Sequence, residues 1–84
     1  MLKHEHLLIR AEVANAPCSI TIGERWLRSL IEDLGMEIMI GPFGEYSTLE
    51  GNEGLTIGAC ITTSHVMMHV WDRCEPAIVQ LDVY

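Results

Sequence analysis

Apolar residues near the start of the chain follow the pattern of a β-strand that leads into a turn. Between Glu5 and Val13, apolar residues alternate in part with polar ones, as in a half-exposed strand. The stretch from Asn15 to Ser19 contains Pro17 and has the composition of a turn. We therefore predict a first strand over Glu5–Val13.

A helix is predicted directly after this turn, because apolar residues recur there at steps of three and four. Thr21 or Ser19 can cap its N-terminus, and Gly35 is placed to end it as a C-terminal cap. The residues that form its apolar face are Trp26, Leu27, Leu30, Ile31 and Leu34.

The second half of the chain is mostly strand. Met36–Ile40 is a short apolar strand, and the glycines and proline at positions 41, 42 and 44 are expected to break it. The polar, glycine-rich stretch 46–54 predicts a loop, long enough to favour a functional role. Further strand segments are predicted at Leu55–Thr63, Ser64–Trp71 and Ala77–Tyr84.

These elements predict a single domain over residues 1–84 of the α+β class. We expect a two-layer α/β sandwich in the order β-α-β-β-β, with a mostly antiparallel sheet and one helix on one face. A chain of 84 residues buries a small core, and the other face of the sheet needs cover. Both points favour a homodimer or a higher homo-oligomer.

Charge narrows the choice of partners. The chain has 5 Lys and Arg residues against 12 Asp and Glu residues, for a formal net charge of −7. A field of that sign repels phosphate backbones, so we expect no nucleic-acid partner. The same field weakly favours a cationic small molecule, although an acidic surface also serves solubility alone.

Cysteine usage and hydropathy indicate a cytoplasmic protein. Cys18, Cys60 and Cys74 are odd in number, far apart and without a CxxC pair, which suggests neither a disulfide framework nor a zinc knuckle. No apolar run reaches the roughly 20 residues of a membrane span, and the first residues lack the apolar segment of a signal peptide. We therefore expect no membrane partner.

The segment Thr63–Trp71 carries the most specific signal. It contains Ser64-His65, a second histidine at His69, and Trp71. This pattern resembles the processing-site segment of the prokaryotic, pyruvoyl-dependent S-adenosylmethionine decarboxylases. Four further stretches resemble the same family, namely His6–Leu8, Tyr46-Ser47, Gly54–Gly58 and Leu81–Tyr84.

The resemblance implies a self-processing enzyme of polyamine (spermidine) biosynthesis. In that family the serine hydroxyl attacks the preceding carbonyl, and the new N-terminus becomes a pyruvoyl cofactor. Ser64 is the matching residue here, with cleavage between Thr63 and Ser64. His65 and His69 match family histidines near the site, and the resemblance favours His69 for proton transfer, which neutral imidazole can perform near physiological pH.

The implied reaction is a decarboxylation of S-adenosylmethionine, with arginine or ornithine as alternative substrates. The pyruvoyl ketone would condense with the substrate amine, and the imine would take up the electrons released with carbon dioxide. Tyr46 matches a position where the family places an aromatic residue that stacks on adenine.

Two departures from the family pattern keep a second interpretation open. Thr63 stands where family members usually carry Glu, and the family's catalytic Cys lies about two residues beyond the position aligned with Tyr84. Cys74 could substitute for it, although a turn thiol is usually inert. The alternative is a non-catalytic, unprocessed homologue that acts as a ligand-binding or regulatory subunit.

The four histidines leave one further alternative. His4 and His6 lie on one side of a predicted strand, as do His65 and His69, so that together they could bind zinc. Nothing in the sequence fixes the two pairs near each other, and we assign no metal.

Overall fold

The computed structural model describes residues 5–84, which form one helix and five strands. The elements are β1 (Leu7–Val13), α1 (Ile20–Asp33), β2 (Ile38–Ser47), β3 (Gly54–Ile61), β4 (Ser64–Trp71) and β5 (Ala77–Val83). All strand pairs are antiparallel, in the order β1-β5-β4-β3-β2, and α1 packs on one face. The predicted α+β two-layer fold is confirmed. The order is β-α-β-β-β-β, because β3 and β4 are separate strands joined by a turn.

The helix begins and ends at the predicted signals. Ser19 is its N-cap, and the Ser19 hydroxyl accepts a hydrogen bond from the backbone N–H of Ile22 at 3.2 Å. Past its end, Gly35 adopts a φ of +72°, which favours glycine. Of the predicted apolar face, Leu27 and Ile31 are completely buried against the sheet and Leu30 is partly buried, whereas Trp26 and Leu34 are 45% and 49% exposed at its edges.

Strand β2 differs from its prediction, because it does not break after Ile40. It continues through Gly41 and Gly44 to Ser47, with two irregularities of register that absorb the special residues. A Cβ at Gly44 would lie 2.2 Å from Cδ1 of Ile57, so a glycine lets β2 pass close to that side chain. The connecting loop is consequently shorter than predicted and covers 48–53.

The core lies between α1 and the middle of the sheet. Strand alternation places the odd-numbered residues of β3 and the even-numbered residues of β4 beneath the helix. The fully buried apolar residues are Leu27, Ile31, Leu55, Ile57, Ala59, Ile61, Val66, Met68 and Val70.

The helix covers only part of this face. It packs chiefly on β2 and β3, while Leu7 and Ile9 of β1 remain 54% and 42% exposed on the same side of the sheet. Leu81 and Val83 of β5 lie between them and the core and are half-buried. The result is a groove of about 650 Å³ beside the helix, which we call the β1–β5 groove. Among residues 5–84, no helix is long and apolar enough to span a membrane.

Candidate functional site

The Thr63–Ser64 peptide bond lies in the turn that joins β3 to β4. Thr62 and Thr63 are exposed, and Ser64 is the first, half-buried residue of β4, where it pairs with Ile61. The backbone N–H of Thr62 donates to the carbonyl of Glu37 at 3.1 Å, which ties the turn to the residue before β2. The predicted cleavage position is therefore accessible and held in place.

The Ser64 hydroxyl contacts an imidazole ring. Its Oγ lies 3.3 Å from Nδ1 of His65, a hydrogen bond in which either atom could donate, depending on the tautomer. On the far side of the same ring, Nε2 of His65 lies 3.7 Å from Oδ1 of Asp82. Serine, imidazole and carboxylate thus stand in series, an arrangement in which the carboxylate can orient the ring and the ring can accept the serine proton.

Asp82 also contacts a second histidine, His6. Nε2 of His6 lies 2.5 Å from the same Oδ1 atom, and the His6 ring stacks on Tyr84 with centroids 4.7 Å apart. The Tyr84 ring is 5.8 Å from the ring of His65. We call His6, Ser64, His65, Asp82 and Tyr84 the Ser64 cluster. It assembles residues from β4, β5 and the chain just before β1.

Sequence reasoning did not predict the part that Asp82 and His6 play. Asp82 pairs with Met67 of β4 and with Leu8 of β1, so β5 inserts between the two histidine-bearing segments. That insertion follows from the strand order, which no local sequence pattern specifies. The available signal was that the resemblance includes the stretches His6–Leu8 and Leu81–Tyr84.

His69 lies away from Ser64. It is four residues beyond His65 on the same strand face, which corresponds to roughly 13 Å at 3.3 Å per residue. Its Nδ1 is 3.1 Å from Oγ1 of Thr56, and its ring is tilted at 6.0 Å from Trp71. The structure therefore brings Ser64 and His65 together within one chain, and it does not bring His69 to them.

Tyr46 lies at the other end of the sheet. Its hydroxyl donates to the Asp72 carboxylate, at 2.8 Å from Oδ1 and 2.9 Å from Oδ2. That hydrogen bond to Asp72, together with desolvation, raises the pKa of Tyr46 above its ordinary value of 10.0, while Arg73 acts in the opposite direction. The phenol is thus a hydrogen-bond donor held by a carboxylate.

A polar pocket of about 520 Å³ surrounds this contact, and we call it the Tyr46 pocket. Its lining includes Cys18, Tyr46, Asp72, Arg73 and Cys74. The whole of β4, eight residues or roughly 23 Å, separates this pocket from Ser64. Within one chain, Tyr46 and Cys74 therefore do not share a site with Ser64.

The structure offers little to a metal ion. Among residues 5–84, no group of three or more His, Cys, Asp or Glu side chains is arranged to hold one. His6 and His65 approach each other through Asp82, whereas His69 lies apart, and His4 falls outside the described residues. The four-histidine zinc site therefore gains no support from the described part.

Comparison with known proteins gives no relative for this chain. No family model matches it, and neither a curated protein nor a solved structure shows significant similarity.

Proposed function

We propose that this chain is a self-processing decarboxylase of the S-adenosylmethionine decarboxylase type, with a pyruvoyl group formed from Ser64. The observation that carries the proposal is the contact between the Ser64 hydroxyl and the His65 ring, beside an exposed turn. A serine that attacks its own preceding carbonyl needs a group to accept its proton, and a neutral imidazole within hydrogen-bond distance can do so.

The processing reaction balances with one water molecule. The Ser64 Oγ forms an ester with the Thr63 carbonyl carbon as the Thr63–Ser64 peptide bond breaks, and the proton moves to the freed amine. Elimination then removes the Cα proton of Ser64, breaks the bond between its Oγ and Cβ and forms a Cα=Cβ double bond, and Thr63 leaves with a free carboxylate. The remaining enamine becomes an imine, and water hydrolyses it to the pyruvoyl ketone with release of ammonia.

His65 and Asp82 take separate roles in this scheme. His65 accepts the hydroxyl proton from Ser64, from a distance of 3.3 Å. Asp82 is a positioning residue, because its Oδ1 faces the other ring nitrogen at 3.7 Å and favours one orientation of the ring. The stacked His6 and Tyr84 rings limit the space next to Asp82.

The substrate class follows from the resemblance and agrees with the charge. A pyruvoyl ketone condenses with a primary amine, and the resulting imine withdraws electrons as carbon dioxide leaves. S-adenosylmethionine carries both that amine and a sulfonium cation, which a chain of net charge −7 attracts. Arginine and ornithine are the alternative substrates.

Mass spectrometry of the purified chain tests the proposal. We expect two fragments, residues 1–63 and a pyruvoyl-blocked 64–84, which can be reduced onto an added amine by cyanoborohydride. Ser64→Ala should remain intact. His65→Ala should slow processing at least about a hundredfold, the lower end of what proton-transfer catalysis typically contributes, while His69→Ala serves as the matched histidine control. A wild-type chain that stays whole after long incubation would refute self-processing.

A non-catalytic role is the second candidate, and two observations favour it. Thr63 replaces the glutamate that the family usually carries, and the Tyr46 pocket lies at the opposite end of β4 from Ser64. In this role the unprocessed chain binds a ligand or pairs with an active subunit. Thr63→Glu separates the two candidates, since it should speed cleavage in a competent chain and leave a non-catalytic one intact. Calorimetric titration with S-adenosylmethionine would then reveal binding without carbon dioxide release.

A further inference from the structure

The two outer strands of the sheet differ in how open they are to pairing. Strand β1 pairs with β5 over seven consecutive positions without interruption, and among residues 5–84 no strand covers its outer edge. Such an edge presents unpaired N–H and C=O groups along a regular, extended backbone. Leu7, Leu8 and Ile9 on this strand are 54%, 60% and 42% exposed.

Strand β2, at the opposite edge, carries features that obstruct pairing. Its register shifts twice, between Ile38 and Ile40 and again before Phe43. Pro42 lies inside the strand and offers no N–H to a neighbour. Irregularities and prolines of this kind protect an edge from another chain, and β1 has neither.

We propose that β1 pairs antiparallel with β1 of a second copy of this chain, about a two-fold axis that passes through Ala11. In this register Arg10 lies directly opposite Glu12 of the partner subunit, and Glu12 lies opposite Arg10 of the partner subunit. Ile9 lies opposite Val13 of the partner subunit on the helix side. Each pair combines opposite charges or two apolar side chains, the combinations that stabilise antiparallel neighbours.

Charge selects this register over its neighbours. A two-fold axis normal to the sheet pairs residues of the same face, so the axis can move only from one residue position to the next. An axis centred on Arg10 or on Glu12 would place that residue opposite the same residue of the second copy, and the like charges would repel. Centred on Ile9, it would pair Arg10 with the apolar Leu8. Only the axis at Ala11 matches both charges. Arg10 and Glu12 are exposed, and among residues 5–84 neither forms a salt bridge.

The same association extends the apolar surface of each copy. Ile9 and Leu7 face the β1–β5 groove, and pairing at β1 places the grooves of the two copies side by side on one continuous sheet. A second copy of this chain is the occupant that meets both requirements, because it supplies the complementary charges and an identical apolar row. The paired strands do not include Ser64, although the β1–β5 groove beside them is also lined by Thr63 and Tyr84.

Charge exchange between Arg10 and Glu12 provides the test. By sedimentation velocity over a range of concentrations, we expect the wild-type chain to dimerise and both Arg10→Glu and Glu12→Arg to raise the dissociation constant at least about tenfold. The double variant should return to the wild-type value. A mixture of the two single variants should form a heterodimer, because each then supplies the charges that the other lacks. Glu45→Lys on β2 is the matched control and should change nothing.

Cross-linking tests the position of the axis. In a chain with its native cysteines replaced by serine, Ala11→Cys should form a disulfide-linked dimer when diamide takes up the two electrons and two protons of the thiols. Ile9→Cys, on the same face and more exposed but off the axis, should not. A wild-type chain that is monomeric at every concentration would overturn the proposal, as would a dimer indifferent to both charge reversals. Cross-linking through position 9 instead of 11 would overturn the register.

Discussion

The helix-facing surface of the sheet has two halves that share a residue type but not an environment. Under α1, Ile57 of β3 is completely buried, together with Leu27 and Ile31 of the helix. On β1 of the same surface, Ile9 is 42% exposed beside the β1–β5 groove. The difference arises because a single helix of 14 residues cannot cover five strands.

This comparison separates the part of the sheet that stabilises the fold from the part that stays available for the proposed dimer. The covered half contributes most of the buried apolar area and therefore most of the hydrophobic stabilisation. The open half retains apolar side chains that gain little from folding alone.

The largest effect is expected from truncation beneath the helix. Ile57→Ala should lower the free energy of unfolding by about 3 kcal/mol, because it removes buried methyl groups and leaves a cavity. Ile9→Ala makes the same chemical change on the open half and should cost about 1 kcal/mol or less. Urea denaturation at low protein concentration, where the chain is monomeric, measures both. Equal costs would contradict the assignment of the core to the covered half.

A smaller loss is expected where the helix approaches the sheet most closely. A Cβ at Gly23 would lie 2.9 Å from Cγ1 of Ile57, so Gly23→Ala should cost about 1–3 kcal/mol by overpacking despite the better helix propensity of alanine. In an Ile57→Ala background the clash disappears. The double variant should therefore be more stable than the sum of the two single losses predicts, and a purely additive result would exclude direct contact.

The Tyr46–Asp72 hydrogen bond predicts a pH dependence on the covered half. Because the hydrogen bond that Tyr46 donates to Asp72 raises the pKa of Tyr46 in the folded chain, the contribution of this bond to stability is fully present below pH 10 and is lost as the pH rises through the folded pKa. Wild-type stability should thus fall more steeply above pH 10 than that of Tyr46→Phe. Urea midpoints between pH 8 and pH 11 measure the slopes, with Tyr84→Phe as the tyrosine control.

The smallest effect is expected from the polar contact on the face of the sheet opposite the helix. His6 and Asp82 are partly exposed, at 42% and 26% of their side-chain surface, and solvent screens such a pair. His6→Ala should change the free energy of unfolding by no more than about 1 kcal/mol. If His6→Ala destabilised the chain as strongly as Ile57→Ala, β1 would be anchored mainly by this contact and not by its ladder with β5.

Local signals predicted the elements well where one residue decides the outcome. Ser19 caps α1 and Gly35 follows its end, as the hydroxyl and the permissive glycine require. The break expected after Ile40 was wrong, because tertiary pairing with β3 holds β2 extended through its glycines and proline. Turn propensity is a local quantity, and neighbouring strands can override it.

Of the residues predicted for the site, Ser64 and His65 lie together, whereas His69 and Tyr46 lie apart from Ser64. Ser64 and His65 are adjacent in sequence, so their contact required no knowledge of the fold. The neighbours Asp82 and His6 depend on β5 lying between β1 and β4, and the distance of Tyr46 from Ser64 depends on the pairing of β2 with β3. Strand order is a long-range property that local composition and periodicity do not specify.

The position of the Thr63–Ser64 bond has a mechanical consequence. Residues 64–84 form the hairpin β4–β5, which lies in the middle of the sheet with β3 on one flank and β1 on the other. After cleavage at this bond, the fragment 64–84 would stay hydrogen-bonded to the fragment 1–63 on both sides, through the ladder of β4 with β3 and the ladder of β5 with β1. The two fragments would therefore stay associated, and the new N-terminus at Ser64 would remain at the position of the former turn.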